Sequence, residues 1–215
     1  GMAPSTASVL GVPFINAMRE SYPDVRLHLV ESLSGNLERM INTRQLDLAI
    51  VFQQEKILRW SARPVLEERL FLIGTHALLA PLQEDHISPD QLTSLPLIMP
   101  SQGHGLRGRL EAVCQQHHLS VEVVADIDGL ALLLQAVRSG LGATLQPGAA
   151  ISHLDHQALR VIDVVNPILS RPNFLVSLSD DELTPAGLAA RVILSKVMRQ
   201  LVESDRWPGA TLYVN

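Results

Sequence analysis

Residues 25–52 read VRLHLVESLSGNLERMINTRQLDLAIVF, and this stretch decides the fold class. Val25, Leu27 and Leu29 alternate with Arg26 and His28, the period-two pattern of a strand with one buried face. Leu37, Met40 and Ile41 then recur at helical spacing, and residues 48–52 are apolar throughout, as in a parallel strand covered on both faces. Strand, helix and strand in that order make a βαβ unit. Its loop, Ser32, Leu33, Ser34, Gly35 and Asn36, stands where strand passes to helix, so hydroxyls and helix-start N–H groups face one point. That arrangement suits an anion or another small polar ligand.

The same alternation extends outward in both directions. Ser5 and Thr6 follow Pro4 and precede Val9, Leu10, Phe14, Ile15 and Met18, which predicts a first helix ending near Tyr22 and Pro23. Pro13 is expected to kink it, with the regular part starting near Val12. Strands are predicted at 63–66 and 69–74, and Ser88-Pro89 opens a short helix to Leu95 as N-cap and first helical residue. A strand at 97–99 leads into the loop Pro100, Ser101, Gln102, Gly103, His104, Gly105, then into a helix with Leu106, Leu110, Val113 and Cys114 on one face. After a β-branched run at 121–125, Asp126 and Asp128 serve as turn and N-cap residues for a helix at 129–139, which Gly140 ends. Its apolar stripe is Leu130, Leu133, Leu134 and Val137. Strands follow at 143–146, 159–165 and 174–178, and Thr184-Pro185 begins a last helix with Leu188, Val192, Val197 and Leu201 recurring along it. Alternating strands and helices predict an α/β fold with mostly parallel sheets, in which ligands bind beyond the carboxyl ends of strands.

Composition narrows the function. At 215 residues and 47% hydrophobic, the chain is long enough for one large domain or two lobes of about 100 residues each. A net charge of −5 gives no electrostatic footprint for a polyanion, so the chain is not expected to bind DNA by itself. Cys114 is the single cysteine, which excludes an internal disulfide and fits a reducing compartment; its place among Leu and Val favours a buried helical residue over a reactive thiol. Apolar runs stop well short of the roughly 18 residues of a membrane span, and no signal peptide is visible, so the cytoplasm is the expected location. The start, MAPST, enters a loop without a preceding strand, which suggests a fragment of something longer.

Five stretches taken in order, MAPSTAS at 2–8, the run from Phe14 through Phe52, PVLEERLFLIGT at 64–75, LPLIMPS at 95–101 and AVRSGLGATLQP at 136–147, resemble the effector-binding domain of LysR-type transcriptional regulators. Within that family the likeness is to the nitrogen assimilation control subgroup. The resemblance covers nearly the whole chain and implies two Rossmann-like lobes of periplasmic-binding-protein type, joined by two crossover strands. Lobe I would be 1–73 plus 173–215 and lobe II 74–172, with the N-terminal winged helix-turn-helix absent. It implies an effector site of four loops: Ser5 and Thr6; Ser32, Leu33 and Ser34; Ser101, Gln102, Gly103 and His104; and Asp128 with Gly129. Phe52 and Gln146 would close its walls. The implied partners are a small, anionic effector such as a carboxylate, a second copy of the chain, and DNA only through the absent domain. The family's antiparallel dimer would set 12–21 of one protomer against 106–116 of its partner. No cofactor or metal is implied.

The same residues have simpler readings. Ser5, Thr6, Ser34 and Ser101 suit N-caps of their own helices. His104 between two glycines suits a surface histidine, and His117-His118 a favourable charge at a helix end, since no carboxylate or thiol is spaced to complete a metal set. Arg107 and Arg109 could reach an anionic effector but read better as solvated helix residues, and Asp180, Asp181 and Glu182 read as loop surface. There is no GxSxG, GxxxxGK[ST] or HExxH, and GHGLRG lacks dinucleotide spacing, so an enzyme is not expected. The alternative is a periplasmic-type solute-binding protein, which shares the two-lobe architecture.

Overall fold

A computed structural model describes residues 1–52, 61–102, 105–179 and 181–213. In chain order the first elements are α1 (Pro4–Ser21), α2 (Ser34–Asn42), β1 (Leu48–Val51), β2 (Ser61–Thr75), β3 (His86–Ile87) and a 3₁₀ turn at Pro89–Ser94. Then come β4 (Pro96–Met99), α3 (Gly105–Gln116), β5 (Glu122–Asp126), α4 (Leu130–Arg138), β6 (Thr144–Pro147) and α5 (Gly148–Ile151). The last are β7 (Leu159–Val164), β8 (Ser170–Ser177), α6 (Pro185–Glu203) and β9 (Ala210–Leu212). The chain divides into two compact units, unit 1 comprising Gly1–Glu68 with Pro172–Asn215 and unit 2 comprising Arg69–Arg171. It passes from one to the other within β2 and again within β8.

In unit 1, β1 pairs antiparallel with β8, and β9 pairs antiparallel with the Leu66 to Glu68 part of β2. One face is covered by α2, whose Leu37 and Ile41 join Leu46, Ala49, Val51 and Val176 in a single cluster. α1 packs on α6 and buries Val9, Leu10, Phe14 and Met18. At roughly 1.5–3 kcal/mol for each large side chain taken from water, that face outweighs the roughly 3 kcal/mol cost of an internal proline. Pro13 therefore sits inside a continuous helix that begins at Pro4, not near Val12. On α6 the buried stripe is Ala190, Ile193, Leu194, Val197, Met198 and Leu201, while of the recurring apolar residues Val192 is 62% exposed and Leu188 is half-buried.

Unit 2 has two cores. The first lies under α3, where Leu106, Leu110 and Cys114 meet Leu70, Leu72, Leu97, Met99 and Leu145. The second lies under α4, where Leu133 and Val137 meet Phe71, Ile73, Ile98 and Leu159. The 3₁₀ turn begins as the Ser88-Pro89 signal predicts, with the Ser88 N–H donating to Gln91 Oε1 at 3.0 Å.

Pairing follows a simple rule. Among the described residues, every antiparallel ladder has a crossover strand as one member: β1 with β8, and β2 with β6, β7 and β9. The ladders that avoid them, β4 with β5 and β3 with β7, are parallel, as are the single bridges at Met2 and Leu97. Two strands expected at 63–66 and 69–74 are one, because Glu67 and Glu68 interrupt the apolar pattern but not the pairing. Residues 25–30 are extended and half-buried in alternation, yet form no strand, because Met2 alone pairs beside that segment, at Glu31.

Candidate functional site

In unit 1, Met2 bridges Glu31 on one side and Ile50 on the other, both in parallel. Three segments thus run in one direction and end at one edge. Beyond Met2 the chain enters α1, with Ser5 and Thr6 in its first turn; beyond Glu31, Ser32 and Leu33 lead to Ser34, the first residue of α2; beyond β1 lies Phe52. Parallel pairing brings these six candidates to the carboxyl ends of their strands.

Their chemistry differs from simple capping. The N-cap residues are Ala3 and Leu33, neither of which offers a side-chain cap, so the hydroxyls of Ser5, Thr6 and Ser34 lie within the helices and not at the cap position. α2 begins at Ser34, three residues before the predicted Leu37, because Gly35 and Asn36 complete its first turn. Thr6 is wholly buried, and its Oγ1 has no hydrogen-bond partner. Helix starts leave N–H groups without intrahelical acceptors, so this edge favours an acceptor or an anion.

Unit 2 repeats the arrangement. β4 pairs parallel with β5, and Leu97 of β4 bridges Ala143 in parallel on its other side. Past their ends come Ser101 and Gln102, then Asp128 and Gly129, then Gln146 within β6. Ser101 donates to Asp128 Oδ1 twice, from its backbone N–H at 2.9 Å and from its hydroxyl at 2.8 Å. Gln146 is buried, and its Nε2 donates to Thr144 Oγ1 at 3.3 Å. Gly103 and His104 lie outside the described residues.

Several sequence expectations change here. Asp128 is not a helix cap: Gly129 holds that position, and the Asp128 carboxylate instead organises Ser101. Asp126 is the last residue of β5 and accepts from Arg107 Nη1 at 3.0 Å. Arg107 is therefore not solvated; it is largely buried, with its Nε donating to Glu111 Oε1 at 2.6 Å. Glu182 is more than loop surface, accepting from Arg44 Nη2 at 2.7 Å. The sequence reading passes over Thr144 and takes Arg107 as solvated, although both support candidate residues. The period-two pattern of ATLQP places Thr144 on the same strand face as Gln146 and would have found the first; Arg107 needed the tertiary fold.

Cys114 lies in the core, with its thiol pKa raised by burial and by Glu111, partly offset by Arg107. Among the described residues no group of three or more His, Cys, Asp or Glu could hold a metal ion, and no helix is long and apolar enough to cross a membrane.

The family model of the LysR substrate binding domain matches residues 1–199. The nitrogen assimilation regulatory protein nac of Escherichia coli (strain K12) is 27% identical over 217 residues, covering 96% of this chain and 68% of that protein. The Synechocystis PCC6803 CcmR regulatory domain, solved in complex with 2-PG, has the same fold with a TM-score of 0.81 at 18% identity, covering 93% of this chain and 96% of that one. The effector binding domain of QuiR in complex with shikimate gives 0.79 at 15%, with 93% and 95% covered.

Proposed function

The chain belongs to the LysR substrate binding domain family, and from that premise we propose that it senses a small hydroxy or amino carboxylic acid and so modulates the DNA binding of a longer regulator. The family match and the nac relative favour this regulator over a periplasmic solute-binding protein. QuiR and CcmR domains of the same fold were solved with shikimate and 2-PG, which supports a small polar effector here.

The observation that carries the reading is the Ser101–Asp128 pair. The Ser101 N–H and hydroxyl fix the Asp128 carboxylate, and a carboxylate held this way is the kind of acceptor that recognises a ligand O–H or N–H. In unit 1, where α1 and α2 begin beside the partnerless Thr6 hydroxyl, the chemistry suits a carboxylate. Each hydrogen bond to a charged group is worth roughly 1.5–3 kcal/mol net, and a few of them beside apolar walls reach micromolar affinity, near −8 kcal/mol. The proposed effector contacts are Ser5, Thr6, Ser32, Leu33, Ser34 and Phe52 in unit 1, and Ser101, Gln102, Gly103, His104, Asp128, Gly129 and Gln146 in the other stretch of the chain, Gly103 and His104 lying outside the described residues. The protein acts in the cytoplasm as an antiparallel dimer, with 12–21 of one protomer against 106–116 of its partner; Val12, 67% exposed on α1, supports that surface. Binding shifts the population of conformations and so reaches DNA through the upstream part.

A thermal-shift screen of amino, hydroxy and unsubstituted carboxylic acids tests the reading. A hit that disappears in both Ser34→Ala and Ser101→Ala supports it; a hit unchanged in both overturns the site.

A further inference from the structure

In unit 2 the faces of β5 change phase along the strand. On β4, Leu97 and Met99 belong to the core under α3 and Ile98 to the core under α4. On β5, Val123 packs on the α3 core, but Ala125 and Ile127 pack on the α4 core. Residues two apart on a regular strand share a face, so 123 and 125 are out of step. The cause is a bulge: Leu97 pairs with Val123 and Ile98 with Ala125, leaving Val124 as an extra residue, 39% exposed. Were Val124 paired with Ile98, Asp126 would turn to the α4 face. With the extra residue, Asp126 stands opposite Met99 on the α3 face, and Asp128, two positions on, meets Ser101.

The α3 face is where Arg107 lies, with its side chain 12% exposed. Its Nη1 donates to Asp126 Oδ1 at 3.0 Å and to the Pro100 carbonyl at 3.5 Å. Its Nε donates to Glu111 Oε1 at 2.6 Å, one helical turn further along α3. A single nitrogen thus ties the residue before Ser101 to the residue two before Asp128, and the Glu111 bond fixes the guanidinium in the frame of α3. The planar fork holds such a geometry where a flexible ammonium does not, and two carboxylates compensate the largely buried cation. We propose that Arg107 is a positioning residue of the candidate site: without touching the effector, it holds the loops after β4 and β5 at the separation at which Ser101 bonds Asp128. This inference rests on the reading of that pair as an effector contact. A recognition pair is only as exact as the residues that support it, so without Arg107 both members are present but wrongly spaced.

Amide hydrogen exchange followed by NMR, with no effector added, tests this, because the Ser101 N–H is one of the two donors to Asp128. Asp128→Ala gives the rate of a released Ser101 amide. Arg107→Met keeps the aliphatic stem and is expected to speed Ser101 exchange towards that rate by about tenfold or more. The Ile98 and Leu119 amides, bonded to the Ala143 and Cys114 carbonyls, are expected to stay unchanged as controls of folding. Asp126→Ala, at a side chain 53% exposed, is expected to act in the same direction, and the double variant to exceed Arg107→Met by no more than error. Should Arg107→Met speed the control amides as well, Asp126→Ala alone decides. Ser101 exchange equal to the parent's in the single variants overturns the proposal, as do accelerations that multiply in the double variant. The readout involves no effector, so it decides the positioning role separately from the reading of the site, which stands or falls on the binding measured for Asp128→Ala.

Discussion

The Trp207 indole N–H donates to Glu68 Oε1 at 2.7 Å, with Glu68 0% and Trp207 2% exposed. Asn173 Nδ2 donates to the other carboxylate oxygen at 3.4 Å. A buried carboxylate thus joins three stretches of unit 1: β2, β8 and the segment after α6. Trp207→Phe keeps the packing and removes the donor, so it is expected to cost about 1.5–3 kcal/mol, the worth of a hydrogen bond to a charged group. Urea denaturation measures this, and a midpoint unchanged from the parent contradicts a structural role for the pair.

Thr6 offers the opposite sign. Its Oγ1 is buried without a partner, and an unmade hydrogen bond there costs roughly 1–3 kcal/mol. Thr6→Val replaces the hydroxyl by a methyl of similar shape and is expected to leave stability equal or raise it by about 1 kcal/mol. The same variant is expected to bind the effector more weakly. A marked loss of stability would show that the hydroxyl has a partner in solution.

The Gly1 amine gives the pH dependence of the chain that starts there. Its pKa is 8.0 in the unfolded chain and about 5 when folded, so between those values the unfolded state binds the additional proton. Stability is full above pH 8 and is lost as pH falls through 5, by up to about 4 kcal/mol at 1.36 kcal/mol per unit. N-terminal acetylation removes the titrating group. Urea midpoints at several pH values for both forms should diverge below pH 8, and parallel curves would refute the buried amine.

The α/β class was legible because helical and strand periods alternate clearly, as in Leu37 to Ile41 against 48–52. Polar residues at strand ends, such as Ser32, Ser34 and Ser101, marked the candidate loops for the same reason. What escaped depended on contacts distant in sequence. Glu68 looked like a strand break until Trp207, 139 positions away, supplied its donor. Arg107 looked solvated until Asp126 arrived beside it from β5. Residues 25–30 carry a strand pattern, but among the described residues only the single bridge of Met2 to Glu31 forms beside them, so pattern alone predicted a strand that the pairing does not make.

Titration calorimetry of Asp128→Ala beside the parent, using a hydroxy or amino carboxylic acid found by screening and its analogue lacking the hydroxyl or amino group, tests the central claim most directly. The account predicts that the parent binds the first at least tenfold more tightly than the analogue, and that the substitution abolishes this preference. Equal affinity for both compounds, or a preference that survives in Asp128→Ala, would contradict it.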